Sequence, residues 1–230
     1  MRIGFLEDDL EQAEVMKVWM EDSGHNVSHF AASADFIKTL KRDSFDLLVF
    51  DWLLPDISGL EVLKRIRSSY DTPVPVIFVT QQDRESDIVE ALSAGADDYM
   101  TKPVSRAELI ARVEALGRRA AGFTQERETI LDFEPYKFDT KTQTINVNGE
   151  ALNLTQKEFE LALFLFQNAG RIVSRAHILE TVWGTSSAIA TRTVDTHASR
   201  IRSKLNFSPE TGWQLSSIYQ HGYRLEKLDT

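Results

Sequence analysis

Short apolar runs alternate five times with segments of helical periodicity in the first half of the chain, and this alternation restricts the possible folds most. The apolar runs cover residues 3–6, 27–30, 47–50, 74–79 and 98–101. The helical segments follow them at residues 10–20, 36–40, 60–66, 88–92 and 109–116. Short strands that are apolar almost throughout are typical of parallel sheets covered on both faces. The first half therefore predicts a doubly wound α/β domain with a (βα)5 parallel sheet.

The periodicity stops at residues 118–130, which are small, polar and charged, as in a linker. We predict a first domain at residues 1–120, a linker at 121–130 and a second domain at 131–230. The second domain begins with short alternating segments at residues 136–138 and 144–147, and Asn148-Gly149 is a signal for a two-residue hairpin turn.

Three helices and a closing hairpin are expected after these strands. Thr155 and Glu158 have the spacing of a capping box, so a helix is predicted to begin there and to continue through residues 159–166. A second helix follows Ser174, and a third covers about residues 193–205. Residues 214–218 and 223–225 form the last hairpin. This order predicts an α+β winged helix-turn-helix domain.

Charge is distributed unevenly between the two halves. The net charge of −9 alone would argue against nucleic acid as a partner. Residues 1–120 carry −8 of it, however, and residues 121–230 carry only −1. Residues 184–206 have a balance of +3, from Arg192, Asp195, Arg200, Arg202 and Lys204. A local basic segment therefore keeps DNA binding possible.

The composition excludes several other classes of site. The chain has no cysteine, which excludes disulfides, thiolate metal sites and cysteine nucleophiles. It has no apolar run of membrane-spanning length, and its first six residues lead directly into an acidic segment rather than a signal sequence. We expect a cytoplasmic protein with no membrane partner.

Polar residues follow four of the predicted strands. Asp8 and Asp9 come after the first, Asp51 after the third, Thr80 after the fourth and Lys102 after the fifth. Ligands bind at the carboxyl ends of the strands in doubly wound sheets. Three carboxylates crowded there need a hard cation, and oxygen ligands favour Mg²⁺. The arrangement predicts Asp51 as a nucleophile on phosphorus, with Thr80 and Lys102 binding phosphoryl oxygens.

Each of these residues also fits a simpler role. Taken singly, Asp8 and Asp9 fit helix N-caps, Thr80 a strand end and Lys102 a solvated loop; together, the phosphoryl site is favoured. A Mg²⁺-dependent phosphatase or phosphotransferase is disfavoured, because Leu53 occupies the second acidic position of the usual nucleophile motif. We therefore predict no multiple-turnover enzyme. A DNA-binding protein with a purely structural first domain is the third alternative.

Four motifs occupy the strand ends of the first domain: EDD at residues 7–9, VFDWLLPDISG at 49–59, VT at 79–80 and GADDYMTKP at 95–103. With them, residues 1–118 resemble the CheY-like receiver domain. The resemblance implies that a sensor histidine kinase phosphorylates Asp51. It implies Mg²⁺ ligation by Asp8, Asp9, Asp51 and the backbone carbonyl of Leu53. It also implies that Tyr99 is an aromatic switch that turns inward with Thr80, although an ordinary half-buried aromatic is the alternative.

The same resemblance suggests a surface for a homodimer formed on phosphorylation. The charged positions through which OmpR/PhoB-type receivers pair correspond to Asp97, Asp98, Glu108, Arg112 and Arg118. The basic residue that this family usually has in its fourth helix is replaced by Ile88, so one expected salt bridge is absent. Arg84 or a different contact could compensate for it. Solvated helix faces are the competing interpretation.

The helix predicted at residues 193–205 has two distinct faces. One is an apolar stripe made by Val194, Ala198, Ile201 and Leu205. Opposite it lie small, hydrogen-bonding and basic side chains: Arg192, Thr196, Ser199, Arg200 and Ser203. Such side chains suit a helix that reads the major groove, and the flanking Arg202 and Lys204 could contact phosphates. A merely soluble amphipathic helix is the alternative.

Three further motifs lie in the second domain: LTQKEFEL at residues 154–161, RTVDTHASRIRSKL at 192–205 and GYRL at 222–225. Residues 131–228 resemble the winged-helix effector of the OmpR/PhoB family, which implies binding to double-stranded promoter DNA. The wing departs from the family pattern, with Tyr219 and Gln220 before His221, so backbone contacts by His221 or Arg224 are the expectation there. The resemblance also suggests a contact with RNA polymerase through residues 183–190, with Trp183 at its start and Ala190 at its end; a plain connector is the alternative.

Overall fold

The structure is a computed structural model that describes residues 1–69, 74–120, 129–184 and 192–228. The chain divides into two compact units, Met1–Thr124 and Gln125–Thr230. Most of the predicted linker, residues 121–128, lies outside the described residues. Within the described ranges, no helix has both the length and the apolar character needed to cross a membrane.

In the described part of the first unit, five strands alternate with five helices. The strands are β1 (Arg2–Leu6), β2 (Asn26–Phe30), β3 (Leu47–Phe50), β4 (Val76–Thr80) and β5 (Asp98–Thr101). The helices are α1 (Leu10–Asp22), α2 (Ser33–Leu40), α3 (Gly59–Ser69), α4 (Glu85–Ser93) and α5 (Arg106–Ala120). All strand pairs are parallel, in the order β2-β1-β3-β4-β5. The predicted doubly wound sheet is confirmed.

The sheet of the first unit is covered on both faces. Helices α1 and α5 share one core with alternate strand residues such as Val49 and Ile77. Helices α2, α3 and α4 share the other, which is rich in aromatic rings, including Phe36, Phe50 and Phe78 in edge-to-face contacts. Each large apolar side chain buried in this way contributes about 1.5–3 kcal/mol. The two cores hold the strand ends in fixed relative positions.

The second unit combines two antiparallel sheets with three helices among its described residues. Its strands are β6 (Ile130–Phe133), β7 (Tyr136–Asp139), β8 (Thr144–Val147), β9 (Glu150–Leu152), β10 (Ile172–Ser174), β11 (Trp213–Ile218) and β12 (Gly222–Lys227). Its helices are α6 (Gln156–Gln167), α7 (Arg175–Trp183) and α8 (Arg192–Lys204). Strands β6 to β9 form one sheet in chain order, and the other has the order β10-β12-β11. This is the predicted winged helix-turn-helix architecture.

Three strands of this unit were not predicted. Strands β9 and β10 have three residues each, too few to show periodicity. Strand β6 begins at Ile130, which the sequence had assigned to the linker. The predicted hairpin turn is confirmed: Asn148 and Gly149 have φ angles of 51° and 87°, and Val147 pairs with Glu150 across the turn.

The capping box at the start of α6 is confirmed and is linked to the end of α8. The amide of Thr155 donates to Oε2 of Glu158 at 2.9 Å, and Nζ of Lys204 donates to the same oxygen at 2.7 Å. Burial alone would raise the pKa of Glu158. The bonds from Lys204 and Thr155 outweigh burial, so the pKa lies below its usual value. The Glu158 side chain is therefore a buried, ionised tie between two helices.

Replacing Glu158 by glutamine should destabilise the second unit by about 1–3 kcal/mol at pH 7, because Lys204 loses a buried charged partner. A carboxylate whose pKa is lowered on folding contributes stability above its unfolded pKa and loses it as the pH falls through the folded value. The difference from wild type should therefore vanish in acid below the usual glutamate range. Calorimetric unfolding at pH 7 and in acid measures it, and an equal difference at both pH values would contradict this assignment.

Candidate functional site

Three side chains, those of Asp51, Lys102 and Glu7, meet at the carboxyl edge of the parallel sheet. Asp51 directly follows β3 and is 5% exposed. Its amide donates to the Leu6 carbonyl at 2.8 Å, which fixes it beside the end of β1. Nζ of Lys102 donates to Oδ2 of Asp51 and to Oε2 of Glu7, each at 2.7 Å. The ammonium group thus joins the ends of three strands at one buried point.

The charges of this cluster depend on one another. Burial raises the pKa of Glu7 to about 6, although the hydrogen bond and charge of Lys102 act in the opposite direction. Burial alone would lower the pKa of Lys102, but its bonds to Asp51 and Glu7 raise it above the usual value. Lys102 therefore stays charged at neutral pH and offsets part of the repulsion between the two carboxylates.

The acidic residues include a group with metal-site geometry. Ligand oxygens of Glu7, Asp8 and Asp51 lie within 4.8 Å of one another. Three carboxylates in this arrangement fit Mg²⁺, which prefers hard oxygen ligands. The group differs from the predicted one in a single position, because it contains Glu7 and not Asp9. Glu7 is thus a candidate ligand that the sequence reasoning missed, and its position directly after β1 was the available signal.

Asp9 has a different role in the structure: its carboxylate caps helix α1. Oδ1 accepts from the amides of Glu11 and Gln12, at 3.0 and 3.1 Å. Oδ2 accepts from the side-chain amide of Gln12. The hydrogen bonds from Gln12 lower the pKa of Asp9. This is the N-cap alternative considered from the sequence, and metal ligation by Asp9 stays a prediction.

The cluster opens into a cleft of about 360 Å³. Its lining residues are Glu7, Asp8, Asp9, Gln12, Asp51, Leu53, Leu54, Pro55, Gln81 and Lys102. Leu53 lies at this cleft with half of its surface exposed, and its amide donates to Oδ1 of Asp51 at 3.1 Å. Gly59 lies very close to the backbone of Asp51, because a Cβ at this position would be 2.0 Å from the Asp51 carbonyl oxygen. The cleft is large enough for a phosphoryl group and a cation.

Thr80 and Tyr99 connect the cleft to the loop after β4. Thr80 is fully buried, and its carbonyl accepts from the Lys102 amide at 2.8 Å. Its hydroxyl accepts from the Gln82 amide at 3.4 Å. Tyr99 stacks on Phe78, and its hydroxyl donates to the Gln82 carbonyl at 2.9 Å. Burial raises the pKa of Tyr99 to about 12. Both predicted residues thus contact the same backbone segment.

The residues predicted to form a dimer face are bonded within the domain. Asp98 and Glu108 both accept from Arg112, at 2.9 Å in their ion pairs. Arg118 lies 3.9 Å from Glu114 of its own helix.

Asp97 is also held inside the domain. Its Oδ2 accepts from the Val76 amide at 2.8 Å and from Arg67 at 3.1 Å. Arg67 also donates to the Gly95 carbonyl, so the loop before β5 is fastened to α3. The internal bonds account for Asp97 without a partner, and pairing between chains by these residues stays a prediction.

Helix α8 exposes the predicted reading face and buries the predicted stripe. Val194, Ala198 and Ile201 lie in the core, and Leu205 is buried directly after the helix. Every predicted DNA-contacting side chain on this helix is exposed: Arg192, Thr196, Ser199, Arg200, Arg202, Ser203 and Lys204. The Arg200 side chain makes no hydrogen bond or ion pair with any other described residue. Its guanidinium is available to an external acceptor.

Two of the predicted phosphate contacts have partners inside the domain. Arg202 donates to the Leu215 carbonyl through Nε and Nη2, at 3.2 and 2.9 Å. Lys204 bonds to Glu158. Sequence periodicity placed both at the edge of the reading face, but it could not reveal partners on β11 and α6. Their DNA contacts stay a prediction.

The start of α8 is tied to α7 and the wing. Oδ1 of Asp195 accepts from Nε of Arg175 at 2.8 Å and from the Tyr223 hydroxyl at 2.7 Å. These bonds keep the pKa of Asp195 low although burial would raise it. Arg175 also lies over the Tyr223 ring, with its guanidinium carbon 5.0 Å from the ring centre. The reading helix is thereby held in a fixed orientation.

The wing is the hairpin of β11 and β12. Tyr219 at its tip is 85% exposed, and Gln220 has a positive φ of 59°. The Arg175 amide donates to the His221 carbonyl, and Arg224 is paired with Glu226. In the predicted polymerase-contacting loop, Trp183 packs edge-on against His197, and residues 185–190 lie outside the described residues.

The fold and the site together define a class of protein: a receiver with a buried aspartate–lysine–glutamate cluster, followed by a winged-helix domain. Comparison with known proteins agrees. A family model described as "Response regulator receiver domain" matches residues 3–114. A second, "Transcriptional regulatory protein, C terminal", matches residues 149–225.

Full-length relatives identify the family. The "Sensory transduction protein RegX3" of Mycolicibacterium smegmatis is 34% identical over 223 residues, which cover 96% of this chain and 97% of the relative. RegX3 of Mycobacterium leprae is 40% identical over 199 residues, covering 85% and 96%. The "Phosphate regulon transcriptional regulatory protein PhoB" of Rhizobium meliloti is 34% identical over 228 residues, covering 98% of each. The chain belongs to the OmpR/PhoB family of two-component response regulators, and it regulates transcription through a DNA-binding domain.

Proposed function

We propose that a sensor histidine kinase phosphorylates Asp51 and that this modification controls receiver dimerisation and promoter binding. The observation that carries the proposal is the double contact of Lys102 with Asp51 and Glu7, beside Asp8, in an open cleft. An oxygen of the Asp51 carboxylate would bond to phosphorus while the bond from phosphorus to the donor histidine breaks.

Different residues of the chain have different roles in this transfer. The Leu53 amide and Lys102 orient the Asp51 carboxylate. Lys102 and the Thr80 hydroxyl would then bind phosphoryl oxygens. Glu7, Asp8 and Asp51, with the Leu53 carbonyl, are the proposed ligands of Mg²⁺. When bound, Mg²⁺ neutralises the charge that the carboxylates and the phosphoryl oxygens bring together.

The experiment that tests this proposal is phosphoryl transfer from acetyl phosphate, followed by intact mass and peptide mapping. We expect one phosphoryl group per chain, located on Asp51, in the presence of Mg²⁺ and none with a chelator. Acetate is the only other product. We also expect no repeated hydrolysis of added phosphate esters, since we propose no enzymatic role on external substrates. A modification at another residue, or one that is insensitive to the chelator, would contradict the proposal.

For the second unit we propose that α8 enters the major groove of promoter DNA, where Arg192, Thr196, Ser199, Arg200 and Ser203 face base edges. A cytoplasmic location follows from that partner. Two receivers paired through the α4, β5 and α5 surfaces would place two such helices on adjacent half-sites. The loop at residues 183–190 is the proposed contact with RNA polymerase.

Arg200 and Arg202 provide a matched pair of variants on α8. Arg200→Ala should weaken binding to DNA by about 1–3 kcal/mol, which is about 5 to 150-fold, because a base or phosphate contact is lost. Arg202→Ala should instead lower the free energy of unfolding by about 1 kcal/mol, because the Leu215 carbonyl loses its donors. Fluorescence anisotropy, with DNA that the wild-type chain selects from a random pool, measures the first effect. Equal DNA affinities for Arg200→Ala and wild type would contradict the proposed contact of Arg200 with DNA.

A further inference from the structure

The loop from Asp51 to Gly59 is fastened to the start of helix α2 by a second aspartate. Oδ1 of Asp56 accepts from the Ser33 amide at 3.1 Å, and Oδ2 accepts from the Ala34 amide at 2.9 Å. The hydroxyl of Ser33, which is fully buried, donates to the Ile57 carbonyl at 2.9 Å. Three hydrogen bonds thus join this loop to helix α2.

Helix α2 depends on this contact because its own N-cap residue cannot supply one. That residue is Ala32, and it makes no side-chain cap hydrogen bond. The first amides of a helix need acceptors, and a negative charge there is favoured by the helix dipole. Burial alone would raise the pKa of Asp56, but hydrogen bonds from the Ile57, Ala34 and Ser33 amides lower it. The carboxylate is therefore ionised at neutral pH.

The same loop carries the backbone of the candidate site. It begins at Asp51, whose carboxylate accepts from the Leu53 amide. It closes where the Gly59 amide donates to the Trp52 carbonyl at 3.0 Å. Between these bonds, the hydrogen bonds of Asp56 and Ile57 to α2 and the cap of α3 by Ser58 hold residues 54–58, together with packing of Leu54 and Ile57 on the core. The orientation of the Leu53 peptide depends on that path.

We propose that Asp56 is a positioning residue for the phosphoacceptor site. By tying the loop to α2, it holds the Leu53 backbone and the Asp51 carboxylate in the geometry that a divalent cation and a phosphoryl group require. This inference rests on the proposed function of Asp51. Residues that orient metal ligands without touching the metal typically change metal affinity by about 10 to 100-fold when they are removed.

Asp56 could act only by capping α2, and a double variant separates this role from the positioning of the site. Ala32 has the extended backbone of an N-cap, with φ −140° and ψ 142°. An aspartate at that position could cap α2 from within its own chain segment. The double variant Ala32→Asp/Asp56→Ala should therefore restore the cap of α2 without restoring the tie to the loop.

The experiment is isothermal titration of the full chain with MgCl₂, at a temperature where circular dichroism shows every variant to be folded. We expect the dissociation constant for Mg²⁺ to rise about tenfold both in Asp56→Ala and in the double variant. A thermal melt should show a lower midpoint for Asp56→Ala, with recovery in the double variant.

The inference is overturned if Asp56→Ala binds Mg²⁺ like wild type, or if the double variant recovers wild-type affinity, because capping of α2 would then account for the effect. Failure of the proposed function is distinguishable in the same titration. In that case the wild-type chain itself would show no saturable binding of Mg²⁺ and no phosphoryl transfer to Asp51.

Discussion

Replacing Asp51 by asparagine should abolish the response of the chain to a phosphodonor while leaving the fold intact. The amide oxygen can still accept from the Leu53 amide, so the loop keeps its hydrogen bond. An amide cannot attack phosphorus, however, and it removes the negative charge that holds Lys102. With acetyl phosphate and Mg²⁺, the wild-type chain should gain about a hundredfold in DNA affinity by pairing two effector domains, and Asp51→Asn should gain nothing.

Asp35→Asn is the matched control for this substitution. Asp35 is an exposed residue of helix α2 and is not among the residues that line the cleft, so its variant should respond like wild type. The measurement is DNA affinity with and without acetyl phosphate for all three chains. A full response by Asp51→Asn would mean that the receiver does not act through this carboxylate.

The Lys102→Met variant should separate metal binding from signalling. The ammonium group now occupies oxygens of Glu7 and Asp51 that Mg²⁺ would also use, and it repels a cation. Without it, binding of Mg²⁺ at pH 8, well above the wild-type pKa of Glu7 of about 6, should become several-fold tighter. Phosphoryl transfer should slow by about a hundredfold, because a preorganised positive group no longer meets the phosphoryl oxygens.

Titration calorimetry and the rate of phosphoryl incorporation measure these two effects on the same preparation. Lys38→Met, which changes an exposed lysine of α2, is the control and should alter neither quantity. Weaker binding of Mg²⁺ by Lys102→Met would contradict the competition inferred from the two 2.7 Å contacts. An unchanged rate of transfer would contradict the role of Lys102 as a phosphoryl ligand.

Elements with strong periodicity were predictable from the sequence, and those defined by distant partners were not. The runs that became β3 and β4 are apolar and short because both faces of the sheet are covered. Strand β10, in contrast, has three residues and exists because Ile172 and Val173 pair with Arg224 and Tyr223, some fifty residues later. No local pattern carries that information.

In the candidate site, too, positions fixed by local sequence were predictable and those fixed by distant partners were not. Asp51, Thr80 and Lys102 could be placed at one edge because each directly follows a recognisable strand. Three adjacent acids follow β1, and their directions depend on how the chain turns from the strand into α1. Asp9 turns toward the helix amides and Glu7 toward Lys102, which a linear motif cannot specify.

Tertiary partners also explain the reassignment of charged surface residues. Asp97 contacts Arg67, thirty residues earlier, and Arg202 contacts the Leu215 carbonyl on the wing. A helical wheel or a family position identifies such residues as exposed and charged. It does not show which of them already have a partner within the domain.

Phosphorylation of Asp51 should be coupled to DNA binding through a dimer, and both can be measured on one sample. Sedimentation velocity and DNA affinity would be recorded on the same wild-type sample with Mg²⁺, before and after addition of beryllofluoride as a phosphoryl mimic. We expect a shift from monomer to dimer together with tighter DNA binding, and neither change in Asp51→Asn. Tighter DNA binding by a chain that remains monomeric, or a dimer with unchanged affinity, would contradict this coupling.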